Sequence, residues 1–374
     1  MHRDFLKVVL NLFACLLLVS CSRVISDNEM RVVRVDTIND DLSNLFSERI
    51  FTKQLQNPLN YVIGKMGKCI VSDSLLYILD KQKERICIFS IANGNAKGSI
   101  SRLGRGPQEY LKITDFDIRD SKVFILSSME KSVTEYDIDG TFITKVSTGN
   151  SSYQRLKAVA GNMVWLANEQ CGDARYDYVQ MNMNNGRITR HVMPSHKYSG
   201  EIRERAACFF EYNDSLWVSR QYDDIIYLMD KDGLARKMQF DFGGDNKVTR
   251  KDLASLSNSE IGEEYKEQSY LRYYSFFQKQ KESCYAVASL IIDGLGPKEY
   301  LIKVDGGNVF CRRMADRLDD TYPEIESAQL IALNDTSAIF IHETSRAGIF
   351  NKRPEIGLTV DPEGNPIISM YRLR

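Results

Sequence analysis

The sequence predicts an all-β chain: a six-bladed β-propeller of four-stranded antiparallel blades, with one short helical insertion. Two observations carry that prediction. A glycine turn between two β-rich runs recurs at Gly94, Gly140, Gly186, Gly233, Gly306 and Gly364, with spacings of 46, 46, 47, 73 and 58 residues. A second β-rich run precedes most of these turns, at residues 74–80 (S-L-L-Y-I-L-D), 122–128, 162–168, 215–220 and 337–343. Four short strands per 40 to 50 residues, repeated six times, are the mark of a propeller, whereas two separate β-sandwiches would not predict a constant spacing. The Asn-Gly and Asp-Gly pairs in these repeats (A-N-G at 92–94, D-I-D-G at 137–140) supply the positive φ that a tight hairpin needs.

The elements follow in order. Residues 1–20 read as a targeting segment, with Arg3 and Lys7 ahead of an apolar run over 8–19. Twelve residues fall short of the roughly 20 that a spanning helix requires, but they suit the core of a signal peptide. The run ends in Leu18-Val19-Ser20-Cys21, which resembles a bacterial lipobox, so cleavage before Cys21 and lipidation of that cysteine are expected. Residues 21–30 then form a lipidated tether and 31–374 the propeller. The Ser22-Arg23 pair brings no acidic cluster after the lipidated cysteine, which favours the periplasmic leaflet of the outer membrane over the cell surface. Residues 248–283 interrupt the repeat between blades four and five. They are rich in Glu, Lys and Leu, Thr249 is placed to cap a helix, and a short helical insertion is expected there.

The composition bounds the function. With 49 Lys plus Arg against 50 Asp plus Glu, the net charge of −1 gives no electrostatic footprint for a nucleic acid. Removing residues 1–20 leaves 47 against 49 and does not change this. Hydrophobic residues at 43% and charged residues at 26% are those of an ordinary globular protein, and a monomer is expected. Catalytic signatures are missing from the sequence: there is no H-E-x-x-H, no G-x-S-x-G and no Walker loop. His191 and His196 flank Pro194 in an expected surface loop, and the Asp-rich turns lack the 12-residue ligand series of a calcium loop. No cofactor or metal is expected. Besides Cys21, the cysteines after the signal stand at 69, 87, 171, 208, 284 and 311 without C-x-x-C spacing, and are expected as buried free thiols.

The stretch L-Y-I-L-D-K-Q-K-E-R-I-C-I-F-S-I-A-N-G (76–94) is similar to an NHL-type propeller repeat. The run L-G-R-G-P-Q-E-Y (103–110), with D-F-D-I just downstream, resembles the G-x-G-P-x-E-Y/F element of the six-bladed β-propeller lipoproteins of Bacteroides-type bacteria. The stretch from Tyr222 to Gly243 and the ending N-P-I-I-S-M-Y-R-L-R also match that family. The resemblance implies an outer-membrane-associated, non-catalytic propeller, and it brings no catalytic residues because the family has no assigned activity.

Strand topology then suggests a binding face. In a blade of strands A to D, the A–B and C–D turns lie on one face and the B–C and D–A connections on the other. The G-x-G-P-x-E-Y segment is a D–A connection, so it is expected beside the central channel on the second face. Arg105, Glu109 and Tyr110 are the first candidates, followed by Arg85, Tyr222, Asp223 and His342. Arginine can clamp a carboxylate or phosphate, and tyrosine can stack on a sugar or peptide group. A competing reading makes Glu109 pair with Arg105 to hold adjacent blades together. The second string G-L-G-P-K-E-Y (294–300) sits at a different place in its repeat and reads as a coincidence of turn chemistry. The expected function is a lipid-anchored cell-envelope binding or scaffolding module for a glycan, peptide or partner protein. The alternative is a propeller-type lyase or hydrolase acting on an extracellular polymer.

Overall fold

The computed structural model describes residues 30–35, 40–56, 62–168, 175–194, 206–243, 248–292, 295–314, 322–325, 328–352 and 354–374. The lipobox with Cys21, and also Cys171 and His196, lie outside them. Two strands precede the first blade, β1 (Arg31–Arg34) and β2 (Phe46–Gln54). Blade one is β3 (Met66–Ser72), β4 (Leu75–Asp80), β5 (Arg85–Ser90) and β6 (Ala96–Ile100). Blade two is β7 (Asp115–Arg119), β8 (Lys122–Ser127), β9 (Ser132–Asp137) and β10 (Phe142–Ser147). Blade three is β11 (Arg155–Val159), β12 (Met163–Ala167), β13 (Tyr176–Asn182) and β14 (Ile188–Pro194). Blade four is β15 (Phe209–Tyr212), β16 (Ser215–Val218), β17 (Ile225–Asp230) and β18 (Gly233–Asp241), with β1 added in parallel outside β18. After helices α1 (Arg250–Ser255) and α2 (Asn258–Glu264), blade five is β19 (Tyr270–Gln280), β20 (Ser283–Ile292), β21 (Leu295–Asp305) and β22 (Asn308–Arg313). Blade six is β23 (Gln329–Leu333), β24 (Ser337–His342) and β25 (Ile367–Leu373), completed by β2 from the other end of the chain.

The blades form a closed ring because each buries an apolar layer against both neighbours. One core cluster lies at each of the six junctions, including that between blades six and one, where Ile339, Ile341 and Ile368 meet Leu76, Ile78 and Phe89. Strands β4, β5 and β8 therefore read as continuous apolar runs, since both of their faces are covered.

The glycine turns help to seat the blades. Gly94, Gly140, Gly186, Gly233 and Gly306 all have positive φ and all join strands C and D. At several junctions the end of one blade's outer strand meets the next blade's turn, and a Cβ on Gly186 would lie 2.8 Å from Val146 Cγ1. A cation staples four of these junctions: Lys53 donates to Ala92 O at 2.7 Å, Arg102 to Gly140 O at 3.1 Å, Arg190 to Asp230 O and Arg31 to Gly306 O.

Three expectations are corrected. Gly364 is not a C–D turn but lies in the connection between β24 and β25, because the N-terminal β2 supplies strand D of blade six. The insertion is helical only in its first half, where Thr249 caps α1 in a capping box with Asp252. Its second half is β19, whose aromatic residues pair with β20 through two bulges. His191 lies on β14 rather than in a loop, 4.6 Å from the ring of Tyr176. The second G-x-G-P-x-E-Y-like string falls mainly in β21, a C strand, and so is unlike the first copy in place. Cys87, Cys284 and Cys311 are buried free thiols, Cys208 is buried and Cys69 half-buried, with burial pushing Cys87 and Cys284 up to about 11.

Candidate functional site

The seven residues expected to form a binding face do not converge. The segment 101–111 does not border the channel; it is wedged at the outer rim between blades one and two. Tyr136 donates to Gln108 O at 2.8 Å and Lys145 to Glu109 O at 2.7 Å, both from the outer strands of blade two. Arg105 is exposed there. Glu109 does not hold it; its carboxylate accepts the Gly106 N–H at 2.7 Å and fills the space where a Cβ on Gly104 would stand. Tyr110 is fully buried, donates to Glu84 O at 3.0 Å and accepts from Arg102 N at 3.1 Å. Burial raises its hydroxyl to about 12. The family-like element is thus a blade clamp. Glycine is needed because the chain doubles back over a carboxylate, and tyrosine because its hydroxyl ties two backbone segments, at Glu84 and at Ile100 to Arg102, inside an apolar junction.

The other four are also structural groups. Arg85 is buried against Asp80, with Nε to Oδ2 3.2 Å, and donates to Val62 O at 3.1 Å. Tyr222, at φ 59°, stacks on Tyr270 at 6.2 Å and donates to Asn258 at 3.0 Å, which fixes the helical insertion. Asp223 accepts from Tyr227 Oη at 2.7 Å and Ile225 N at 3.1 Å. Tyr222 and Asp223 do share a second, smaller cavity of about 240 Å³.

His342 is enclosed at the blade-six end of β24, 2.9 Å from Ser369 Oγ and edge-on to Phe350 at 5.2 Å. Burial lowers its pKa from 6.5 to about 3, partly opposed by a hydrogen bond with the Glu324 backbone. A neutral buried imidazole binds fewer protons folded than unfolded, so its contribution is whole above pH 6.5 and is lost as pH falls toward 3. Wild-type stability should fall by up to about 1.4 kcal/mol per pH unit across that window relative to His342→Gln. Denaturant midpoints of both proteins between pH 7 and pH 4 check this, and parallel curves would refute it.

The space suited to a ligand is the central channel, which encloses about 1420 Å³ between the innermost strands β3, β7, β11, β15, β19 and β23. One wall is ionic. Alternation along β7 puts Asp115, Asp117 and Arg119 on one side of the strand, toward blade three, and leaves Phe116 and Ile118 in the junction with blade one. An innermost strand is a sheet edge with unpaired N–H groups. Asp115 accepts one from Leu156 N at 2.8 Å and Asp117 another from Ala158 N at 2.9 Å.

Between these two contacts Lys157 bridges Asp117 at 3.0 Å and Glu211 of blade four at 2.9 Å. Burial alone would lower the Lys157 ammonium, but the two carboxylates outweigh it and hold its pKa above the usual 10.5. Arg119 reaches the other Glu211 oxygen, and this hydrogen bond keeps its guanidinium well charged. Lys68 extends the chain to blade one, 3.0 Å from Asp115. The facing side, from blades five, six and one, mixes Phe276, Ile331 and Ile70 with Ser275, Gln329, Lys65, Lys81 and Glu343. Such a chamber can orient a ligand rich in hydrogen-bonding groups.

A family model described as a domain of unknown function, DUF4934, matches residues 30–372. The chain belongs to that family. No curated protein sequence matches this DUF4934 chain. Among solved structures it is similar to a protein of Bacteroides fragilis named as exported, at 15% identity and a TM-score of 0.69, over 92% of this chain and 100% of the other. It is also similar to a duf4221 family member of Bacteroides vulgatus, at 11% identity and a TM-score of 0.54, over 88% and 97%. The resemblance to Bacteroides-type six-bladed propellers therefore holds, and at these identities it is a likeness of fold.

Sequence reasoning passed over the channel residues of the DUF4934 ring, although their signal is visible. Asp115, Asp117 and Arg119 alternate charge within a run that is otherwise core-forming, and Arg155 and Lys157 do the same in β11. Charges at every second position of a buried strand point to a polar interior. Glu211 carries no such sign, since it is the lone charge in F-F-E-Y.

Proposed function

We propose that this protein is a lipid-anchored binding or scaffolding propeller of the cell envelope, whose central channel takes a glycan or peptide segment of a partner. The observation that carries this reading is the largely polar channel of about 1420 Å³, in which an ionic ladder from blades one to four faces a side of mixed polar and apolar side chains. That volume exceeds the roughly 300–1,000 Å³ of small-molecule pockets, which leaves room for a polymer segment, and its polar groups can fix an orientation. The anchor rests on the L-V-S-C sequence at 18–21, which lies outside the described residues. The exported Bacteroides fragilis neighbour supports an envelope address, and the lack of an acidic cluster directly after Cys21 favours the periplasmic leaflet.

Two measurements test the reading. Acyl labelling in cells should be present in wild type and lost in Cys21→Ser, with the variant moving from the membrane to the soluble fraction. Labelling that survives the substitution would remove the anchor. Binding of envelope glycan and peptide fragments should fall at least about tenfold in Ser275→Trp, which narrows the chamber, and remain unchanged in Arg105→Ala at the rim. Equal binding by all three proteins would exclude the channel. Chemical turnover of a bound fragment would move the protein to the lyase or hydrolase class.

A further inference from the structure

We infer that the channel takes an acidic glycan, which enters by the mouth on the B–C and D–A face. The inference deepens the proposed binding role and rests on its reading of the channel as the ligand chamber. It is carried by the way charge divides between the two mouths. Each innermost strand starts at the B–C and D–A face and ends in an A–B turn on the glycine-turn face, so a residue's place along its strand gives its depth in the channel.

The glycine-turn mouth is anionic. Asp73, Asp120 and Asp214, in the A–B turns of blades one, two and four, line that end and are exposed. Arg119, at the same level, is held by Glu211 and lies 3.8 Å from both Asp120 and Asp214. An anion approaching from this side meets an excess of carboxylates and is repelled.

The opposite mouth is cationic. Lys65 just before β3, Lys68 within it, Lys81 in the B–C loop of blade one and Arg155 at the start of β11 line that end, against the carboxylates of Asp115 and Glu343. Asp115 is already engaged: Lys68 lies 3.0 Å away, and its oxygens accept the N–H groups of Phe116 at 2.9 Å and Leu156 at 2.8 Å. The backbone makes room for these cations. A Cβ on Gly67 would stand 2.6 Å from Lys81 Cε, so glycine there lets the lysine stem lie across β3 beside the channel. Cations gathered over a polar chamber draw in an anion and hold it by charge-assisted hydrogen bonds.

The inner wall favours a glycan over a peptide. An extended peptide binds by adding to the open edge of a strand. On β11 the Leu156 and Ala158 N–H groups that it would use are already taken by Asp115 and Asp117. The hydroxyl and carboxylate or sulfate groups of a sugar are matched by side-chain donors instead, and Phe276 offers apolar surface to a sugar ring.

The test measures binding of four fluorescently labelled probes to the full chain: oligogalacturonate, a sulfated dextran oligomer, a neutral dextran oligomer and polyglutamate. The double variant Lys65→Glu with Lys81→Glu should weaken whichever acidic glycan binds by at least about tenfold, and the double variant Asp73→Lys with Asp214→Lys should not weaken it. Rising salt should weaken the acidic glycan and leave the neutral oligomer unaffected. The better of the two acidic probes tells whether carboxylate or sulfate is read. Equal affinity for neutral and acidic glycans, equal losses in the two double variants, stronger binding of polyglutamate, or no binding of either acidic glycan would overturn the inference. Ser275→Trp separates it from the reading on which it rests. Neutral-glycan binding that is lost in Ser275→Trp and indifferent to the lysines would keep the chamber and remove the charge selection. Acidic-glycan binding that needs the lysines and ignores Ser275→Trp would keep the cationic mouth and remove the chamber.

Discussion

Phe46→Ala should destabilise the protein by about 3–5 kcal/mol, the range for truncating a fully buried aromatic. Phe46 opens β2 and is 1% exposed. Its ring stands edge-on to Tyr322 at 6.0 Å and to Phe340 at 5.9 Å, and it lies 5.3 Å from Tyr371. These partners lie on the blade-six side of the junction with blade five, so the cavity left by alanine is walled by rigid rings and cannot readily collapse. The position also matters for closure. Phe46 pairs with Leu373, near the far end of the chain, so the ring is sealed by a contact very distant in sequence. Contacts of that separation carry a large loop-closure cost and depend on well-packed anchors. Urea unfolding should show a lower midpoint at unchanged slope. A loss below about 1 kcal/mol would mean that β2 is held by its backbone ladder alone.

Lys157→Ala should cost about 2–4 kcal/mol, somewhat less than for a fully sequestered pair because the lysine keeps partial access to the channel. Removing the ammonium leaves Asp117 and Glu211 facing each other across the space it filled. Asp117 retains the Ala158 N–H and Glu211 retains Arg119, which sets the upper limit. The double variant with Glu211→Gln should recover part of the loss, giving a coupling of at least about 1 kcal/mol in a double-mutant cycle. The pH dependence has a definite sign. The Lys157 pKa is raised in the folded state, so its contribution is whole below the ordinary value of 10.5 and is lost only as pH rises through the higher folded value. Wild type and Lys157→Ala should therefore differ by a constant amount from neutral pH to about 10 and converge above it. Additive losses in the cycle would show that the two carboxylates do not share the lysine.

Much of the ring could be read from the chain because its elements are local. A hairpin turn needs a residue that tolerates positive φ, and Gly94, Gly140, Gly186, Gly233 and Gly306 mark five such turns wherever the chain places them. The runs 75–80, 122–127 and 163–167 are β-rich and doubly covered, and their boundaries in the ring fall within a residue or so of their apolar limits. The misreadings are equally physical. Gly364 shares the composition of a turn, but a ring closed by its own N-terminus leaves no fourth strand after β25 to turn into. The aromatic run of β19 hides its alternation behind two bulges.

The candidate site was less legible, for a reason that Tyr110 and Asp117 make plain. Tyr110 belongs to a conspicuous string of glycine, proline and charge, yet the string is conspicuous because a loop must double back and bury a hydroxyl between blades. Asp117 sits in a run with no turn chemistry at all. Its significance comes from a lysine 40 residues later and a glutamate 94 residues later, which meet it only once three blades stand side by side. The sequence by itself determined the strands, the turns, the repeat and so the ring, since each is set by neighbouring residues and by the period of their side chains. Only the tertiary structure decided which charges share the channel and which strand closes blade six, because these depend on residues brought together across the ring.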